Sequence, residues 1–153
     1  MLSRLVAELH RCTTQMQTIL TGVPYTQVVY ANPAWTIADI LGNIAYWEEH
    51  AVRSVAAFRA GGEYAHPDFS EARVDAINAT ARLYSDWYPD ERAWGRYHSA
   101  RTQFIAALQS LDAPVTAYIR CPWDERLELS RFVEHMIAHD LDHQRDIRDV
   151  IGN

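Results

Sequence analysis

Cysteine is nearly absent from this chain: Cys12 and Cys121 are the only two, far apart and outside any CxxC pair. A disulfide framework is therefore not expected, and both thiols read as inert and buried rather than nucleophilic. Glycine and proline are also scarce, six of each, and with 48% hydrophobic residues there is enough apolar material for a sizeable core instead of bulk disorder. No apolar run reaches the roughly 18 residues that a membrane span needs. The opening "MLSRLVAELH" lacks the continuous apolar stretch of a signal peptide, so the chain reads as cytoplasmic. A basic stripe is missing as well: the formal net charge is −6, and the arginines are scattered among acids. Neither nucleic acid nor an anionic membrane is expected as a partner.

What is present is helical periodicity. Residues 2–21 carry Leu2, Leu5, Val6, Leu9, Cys12, Met16, Ile19 and Leu20 at steps of three and four, and Gly22-Val23-Pro24 stops them. Residues 25–34 read as extended or loop. A second helix opens at Thr36, with Asp39 at the capping-box spacing, and ends at Gly61-Gly62. Asp68 and Glu71 repeat that spacing and predict a third helix near 70–85, interrupted by "SDWYPDE", where Pro89 breaks continuity. Trp94, Tyr97, Phe104, Ile105, Leu108 and Leu111 form the next stripe. The Pro-bounded stretch 113–123 reads as extended without building a real sheet, and the last helix is expected from about Asp124 to Val150. These elements predict an all-α fold, a four-helix bundle in one domain spanning 1–153, with longer connections after helices 1, 2 and 3. Such connections leave room for a pocket at one end.

The last helix contains "AHDLDHQRDI", with His139 and His143 four residues apart. At about 100° per residue, His143 falls roughly 20° and His139 roughly 60° from Met136, within or beside the apolar stripe. Imidazoles at that spacing stack on one face and can reach one metal ion. His135 lies at the rim. On the second helix Asn43 sits at the stripe's edge and Glu48 inside it, while His50 points away. Asp140 also turns inward. An inward carboxylate needs a partner or a metal, so Asn43, Glu48, His139, Asp140 and His143 are expected to meet in one polar patch. The plainer alternative is a pair of structural histidines hydrogen-bonded at the core edge. The five tryptophans read as core or pocket wall, and His10, His66 and His98 as surface or loop.

Several of these stretches resemble a known family. "WTIADILGNIAYWEEH" looks like the start of the second helix in the DinB-like superfamily of four-helix bundles, and "AHDLDHQRDI" resembles its last helix. The middle, "VDAINATARLYSDWYPDERAWGRYHSARTQFIAALQSL", is similar to the DfsB/ClbS-like branch. The resemblance implies a homodimeric bundle in which a divalent metal (Zn, Ni or Fe) is held by one histidine of the second helix and two of the last. Matched residue by residue, His139 and His143 keep the pair, and Asn43 replaces the third histidine. That substitution weakens the implied site.

The expected function is an enzyme acting on a small electrophilic substrate, by hydrolysis in the manner implied by the ClbS branch or by thiol transfer. Metal assistance would come through His139 and His143. Without metal, Glu48 or Asp140 would serve as general base. Tyr46, Trp47, Asn78 and Tyr84 are the expected substrate contacts. The alternatives are a metal-free small-molecule binding or sequestering protein, and a stress-associated dimer with a vestigial site.

Overall fold

The stripe beginning at Leu5 winds into α1 (Leu2–Ile19), which buries Leu5, Val6, Leu9, Cys12, Met16 and Ile19. The computed structural model describes residues 1–86 and 91–152; Trp87 and Pro89, named above, lie outside the described residues. After α1 the chain does not run as loose loop. It forms a small antiparallel hairpin, β1 (Val28–Ala31) and β2 (Ala34–Thr36), turning at a cis Asn32–Pro33 peptide. Two backbone bonds, Ile37 N–H to the Gln27 carbonyl and Ala38 N–H to the Tyr25 carbonyl, clamp this segment to the next helix.

That helix, α2 (Ile37–Arg59), starts on a complete capping box: the Thr36 hydroxyl oxygen accepts from the Asp39 N–H and the Asp39 carboxylate accepts from the Thr36 N–H. The third helix begins later than its sequence suggests. A single 3-10 turn (Glu71–Arg73) precedes α3 (Val74–Asp86), and Asp68 makes no cap: its carboxylate takes a bond from Arg73. Next comes α4 (Glu91–Gln109). A second hairpin follows, β3 (Tyr118–Arg120) with β4 (Arg126–Glu128), so the stretch after residue 113 does pair as a minimal sheet, and α5 (Leu129–Ile151) starts five residues after Asp124. The delay has a local cause. Asp124 adopts a left-handed φ of 68° in the turn, and Cys121 N–H bonds the Glu125 carbonyl, which closes the hairpin before a helix can start.

The fold is all-α in class, a bundle of α1, α2, α4 and α5, with α3 packed outside against α2. Among the described residues no helix is long and apolar enough to cross a membrane. The interior is not continuous hydrocarbon. One apolar cluster, including Leu9, Phe104, Phe132 and Met136, fills one end, and a second, including Met16, Ile37, Ile44 and Ile147, fills the other. A polar layer centred on Arg101 lies between them. Arg101 is 1% exposed, and its Nε donates to Glu48 Oε1 at 2.7 Å. Its Nη atoms donate to Asp140 Oδ2 at 2.5 Å, to the Leu9 carbonyl at 3.0 Å and to Thr13 Oγ1 at 3.3 Å. Tyr97 donates to the same Asp140 oxygen, and Gln144 bonds the other Asp140 oxygen and the Cys12 carbonyl. One side chain therefore ties all four bundle helices together.

This layer holds one guanidinium against two carboxyl groups, and the excess negative charge falls on Glu48. Burial pushes the Glu48 carboxyl up to about 7; Arg101 opposes the rise and Asp140 adds to it. Its Oε2 has no hydrogen-bond partner among the described residues, and a buried unpaired oxygen costs less in a neutral carboxyl than in a carboxylate. Between the ordinary 4.5 and about 7 the native state binds more protons than the unfolded chain, so Glu48's contribution to stability falls as pH rises. The buried imidazoles act with the opposite sign. His139 is held down to about 3 and His50 to about 4, mainly by burial, and their contribution grows as pH rises toward 6.5. Glu48→Gln mimics the protonated acid and removes only the falling part. The stability gain of the variant over the parent, from urea unfolding, is expected to widen between about pH 5 and pH 7.5; a constant difference would contradict the proton on Glu48. Arg101→Met leaves both carboxyl groups uncompensated and is expected to cost about 3–5 kcal/mol in the same assay.

Candidate functional site

Beside the polar layer, a two-lobed cleft opens where α3 and the first hairpin stand off from α2 and α5. The larger lobe, about 590 Å³, is walled by Tyr30 and Trp35 from the hairpin, Asp75 and Arg82 from α3, and His139 and His143 from α5. The smaller, about 280 Å³, is mostly apolar and is formed by Trp47, Phe69, Val74, Trp123 and Met136, with His135 at its edge. Asn43, Asn78 and His139 belong to both lobes and mark where they meet.

The two asparagines are oriented by an indole. Trp47 Nε1–H can only donate, and it does so to Asn78 Oδ1 at 3.0 Å. Asn43 Nδ2 donates to the same oxygen at 2.9 Å. The Asn78 oxygen is thus saturated, and what Asn78 has left for a ligand is its amino group. Asn43, 2% exposed, has its oxygen left.

The histidines are ordered by a second chain of bonds. Tyr30 gives its single proton to Asp146 Oδ2 at 2.6 Å. The contact of 3.0 Å between Tyr30 Oη and His143 Nδ1 therefore requires Nδ1–H of His143 as the donor. With its proton on Nδ1, neutral His143 presents a lone pair at Nε2, which faces His139 Nε2 at 3.1 Å. His139 supplies the proton between them. Both rings are neutral at pH 7. Burial is the main cause of the lowered value of each, reinforced at His139 by the His143 ring and opposed at His143 by Asp140, Asp146 and Asp142. Two imidazoles and the Asn43 oxygen line the same cleft and would suit a loosely held borderline divalent cation, provided the His139 proton moves to Nδ1 so that both Nε2 lone pairs are free. Among the described residues no group of three or more His, Cys, Asp and Glu side chains converges.

The expected convergence of five residues is only partly met. Asn43, His139 and His143 share the cleft, but Glu48 and Asp140 do not reach it. Both are fully buried on Arg101, and facing inward put them in the ion layer rather than at the ligand surface. The expectation that either acts as general base is corrected on that ground. Trp47 and Asn78 line the cleft. Tyr46 lies beside it, bonded through its hydroxyl to His66 Nε2 at 2.7 Å. Tyr84 belongs to α3, but its side chain lies outside the described residues. His66 is no loose loop residue: it is 8% exposed, its N–H bonds the Pro122 carbonyl, and its ring packs 4.5 Å from that of His50. His50, expected to point away, is buried, with its Nδ1 hydrogen-bonded to the Tyr64 hydroxyl at 2.6 Å. Burial holds the Cys12 thiol up at about 11 and the Cys121 thiol at about 12, values that leave both unreactive. Sequence reasoning missed Tyr30, Arg82 and Asp146. Asp146 carried a weak signal, one turn beyond His143; Tyr30 carried none.

The bundle and its cleft can be set against known proteins. The family model of the DinB superfamily matches residues 8–147. The chain belongs to the DinB superfamily. No curated protein sequence matches it. Among solved structures it is similar to the colibactin self-resistance protein ClbS in complex with double-stranded DNA, with a TM-score of 0.82 at 10% identity over 99% of this chain and 96% of that one. It is also similar to the mycothiol-dependent maleylpyruvate isomerase, with a TM-score of 0.75 at 10% identity over 96% of this chain and 60% of that one. At 10% identity both likenesses concern the fold, and it is the same DinB-like fold that the sequence resembles. The ClbS complex overturns one expectation. An acidic chain without a basic stripe was read as having no nucleic-acid partner, but a protein of this fold is seen bound to duplex DNA. Net charge is a property of the whole surface and does not exclude a local contact.

The bond chain from Asp146 makes a spectroscopic prediction. In ¹⁵N-detected spectra at neutral pH, His143 is expected as the Nδ1–H tautomer and His139 as the Nε2–H tautomer. Tyr30→Phe removes the acceptor for Nδ1–H and is expected to shift His143 toward Nε2–H. An unchanged tautomer would refute the chain.

Proposed function

We propose that this protein is a DinB-type enzyme that adds water to a small electrophile of the strained-ring type, with His143 as general base. The observation that carries this reading is His143 at the cleft, its ring held through Nδ1–H by Tyr30 and Asp146; its Nε2 lone pair, which accepts the His139 N–H, is the base once that N–H turns to the substrate. A base whose second nitrogen is held by an oriented acceptor keeps one tautomer and one ring angle, and its charged form is stabilised after it takes a proton. Water gives a proton to Nε2 while its oxygen bonds to the ring carbon. The carbon–heteroatom bond breaks with its electron pair on the leaving atom. That atom then receives the same proton, which restores the neutral imidazole. The Asn78 amino group, left over by its bonds to Asn43 and Trp47, would donate to the leaving atom, and the apolar lobe would take the rest of the substrate.

His139, His143 and the Asn43 oxygen would hold a divalent cation such as Zn, Ni or Fe, and when bound it supplies a water of lowered pKa. The protein's own part is the same in either case: the cleft orients the electrophile and Tyr30 holds the His143 ring.

The test is conversion of styrene oxide to its diol, followed by chromatography, with and without a low-molecular-weight thiol. His143→Asn is expected to lose about 10²–10⁴-fold in kcat/KM. Activity should rise with pH through the value of His143, which lies below 6.5, and stay flat above it. Prior dialysis against a chelator separates the two sources of activated water: unchanged turnover assigns the work to the imidazole, and loss that Zn or Ni restores assigns it to a cation. Tight binding without turnover would replace the enzyme by a sequestering protein.

A further inference from the structure

The larger lobe contains a guanidinium that the chemistry above does not use. Arg82 stands on α3 and lines the same lobe as His139 and His143 of α5. It makes no hydrogen bond to the described residues. Its nearest acid is Asp39, whose Oδ1 is 3.7 Å from Nε, too far for a bond. The other Asp39 oxygen is spent on the Thr36 amide and hydroxyl at the start of α2. Asp75 lines the lobe two turns earlier on α3 and forms no ion pair with Arg82. The guanidinium is nevertheless held in place: its carbon lies 5.6 Å from the centroid of the Trp35 ring, and Trp35 packs edge-on against Tyr30 at 6.0 Å. A cation beside an indole, with a long ion pair to Asp39 but no hydrogen bond to the described residues, and next to an open cavity, can receive a ligand's negative charge.

We propose that Arg82 is the anion-recognising residue of this cleft and that its ligand carries a carboxylate. A guanidinium matches a planar carboxylate through two parallel N–H bonds, and the neighbouring Trp35 ring limits the directions open to that fork. The cleft's layout gives the rest of the ligand. The carboxylate lies at Arg82, the reacting atom at the His139–His143 junction beside Asn78, and an apolar tail among Phe69, Val74, Trp123 and Met136. The substrate class is an amphipathic acid with its electrophilic centre between charge and tail. The inference rests on the reading of the cleft as a small-molecule site, but binding tests it independently of turnover.

Calorimetric titration with 3-phenylpropanoate and its neutral isostere 3-phenylpropanamide is the direct experiment. The acid is expected to bind about tenfold tighter or more, and in Arg82→Gln the acid-to-amide ratio is expected to fall to near one. Arg82→Lys keeps the charge without the fork and is expected to fall between. Circular dichroism checks that each variant is folded. Equal binding of acid and amide, no binding of the acid, or a ratio untouched by Arg82→Gln overturns the proposal. So does an Arg82 dependence seen only with a short DNA duplex, since the guanidinium would then serve phosphate. Kinetics with phenylglycidate and styrene oxide separate this proposal from the hydrolytic reading. Arg82-dependent acid binding with neither epoxide opened keeps the anion site and removes the hydrolase. Both epoxides opened at one rate, insensitive to Arg82→Gln, keeps the hydrolase and removes the anion site.

Discussion

Everything in this bundle is set around Arg101. Its guanidinium reaches α1 through the Leu9 carbonyl and Thr13, α2 through Glu48, and α5 through Asp140, while it is itself rooted in α4. Apolar packing above and below this layer is tolerant of small slides and rotations, since many arrangements of Leu, Ile and Val side chains bury similar area. An ion layer is not tolerant. A slip of one turn along α5 would leave Asp140 without Arg101 and strand a buried charge. The layer need not add net stability to have this effect; it raises the cost of every other register. Asp140 is the neighbour of His139 and stands one turn before Gln144, so fixing its direction also fixes where the two imidazoles face.

The same layer explains what could be read from the chain and what could not. The apolar stripes of α1, α2, α4 and α5 were legible because a helix writes its buried face locally, at steps of three and four. The Thr36–Asp39 cap was legible for the same reason. Helical periodicity also reported that Glu48 and Asp140 point inward. It could not say toward what, because an inward direction serves a core and a cleft equally, and the deciding partner, Arg101, is distant in sequence from both. The hairpins escaped notice because their strands are three or four residues long, too short for a period to show. The burial of His66 depends on its segment folding back to the Pro122 carbonyl, a contact without any local trace.

The cleft itself shows how one donor-only group can organise a polar wall. The Trp47 indole N–H forces the oxygen of Asn78 toward α2, which in turn forces the amino group of Asn43 toward Asn78. The family resemblance placed a histidine at position 43. With asparagine there, the position joins an amide ladder and offers an oxygen, a harder and weaker donor than imidazole.

Tyr30, which selects the proton position on His143, does not belong to the bundle. It is carried on the hairpin between α1 and α2, attached to α2 by two backbone bonds. Scaffold and tuning part are therefore separable. The bundle supplies an imidazole at a fixed place, and a short surface ribbon decides how that imidazole behaves. Variation at the cleft-facing hairpin positions, such as Tyr30, can retune acidity, tautomer and the width of the larger lobe without touching the Arg101 layer or the Thr36 cap. Where one architecture is shared at 10% identity, such an appended ribbon is a route by which old helices acquire new chemistry.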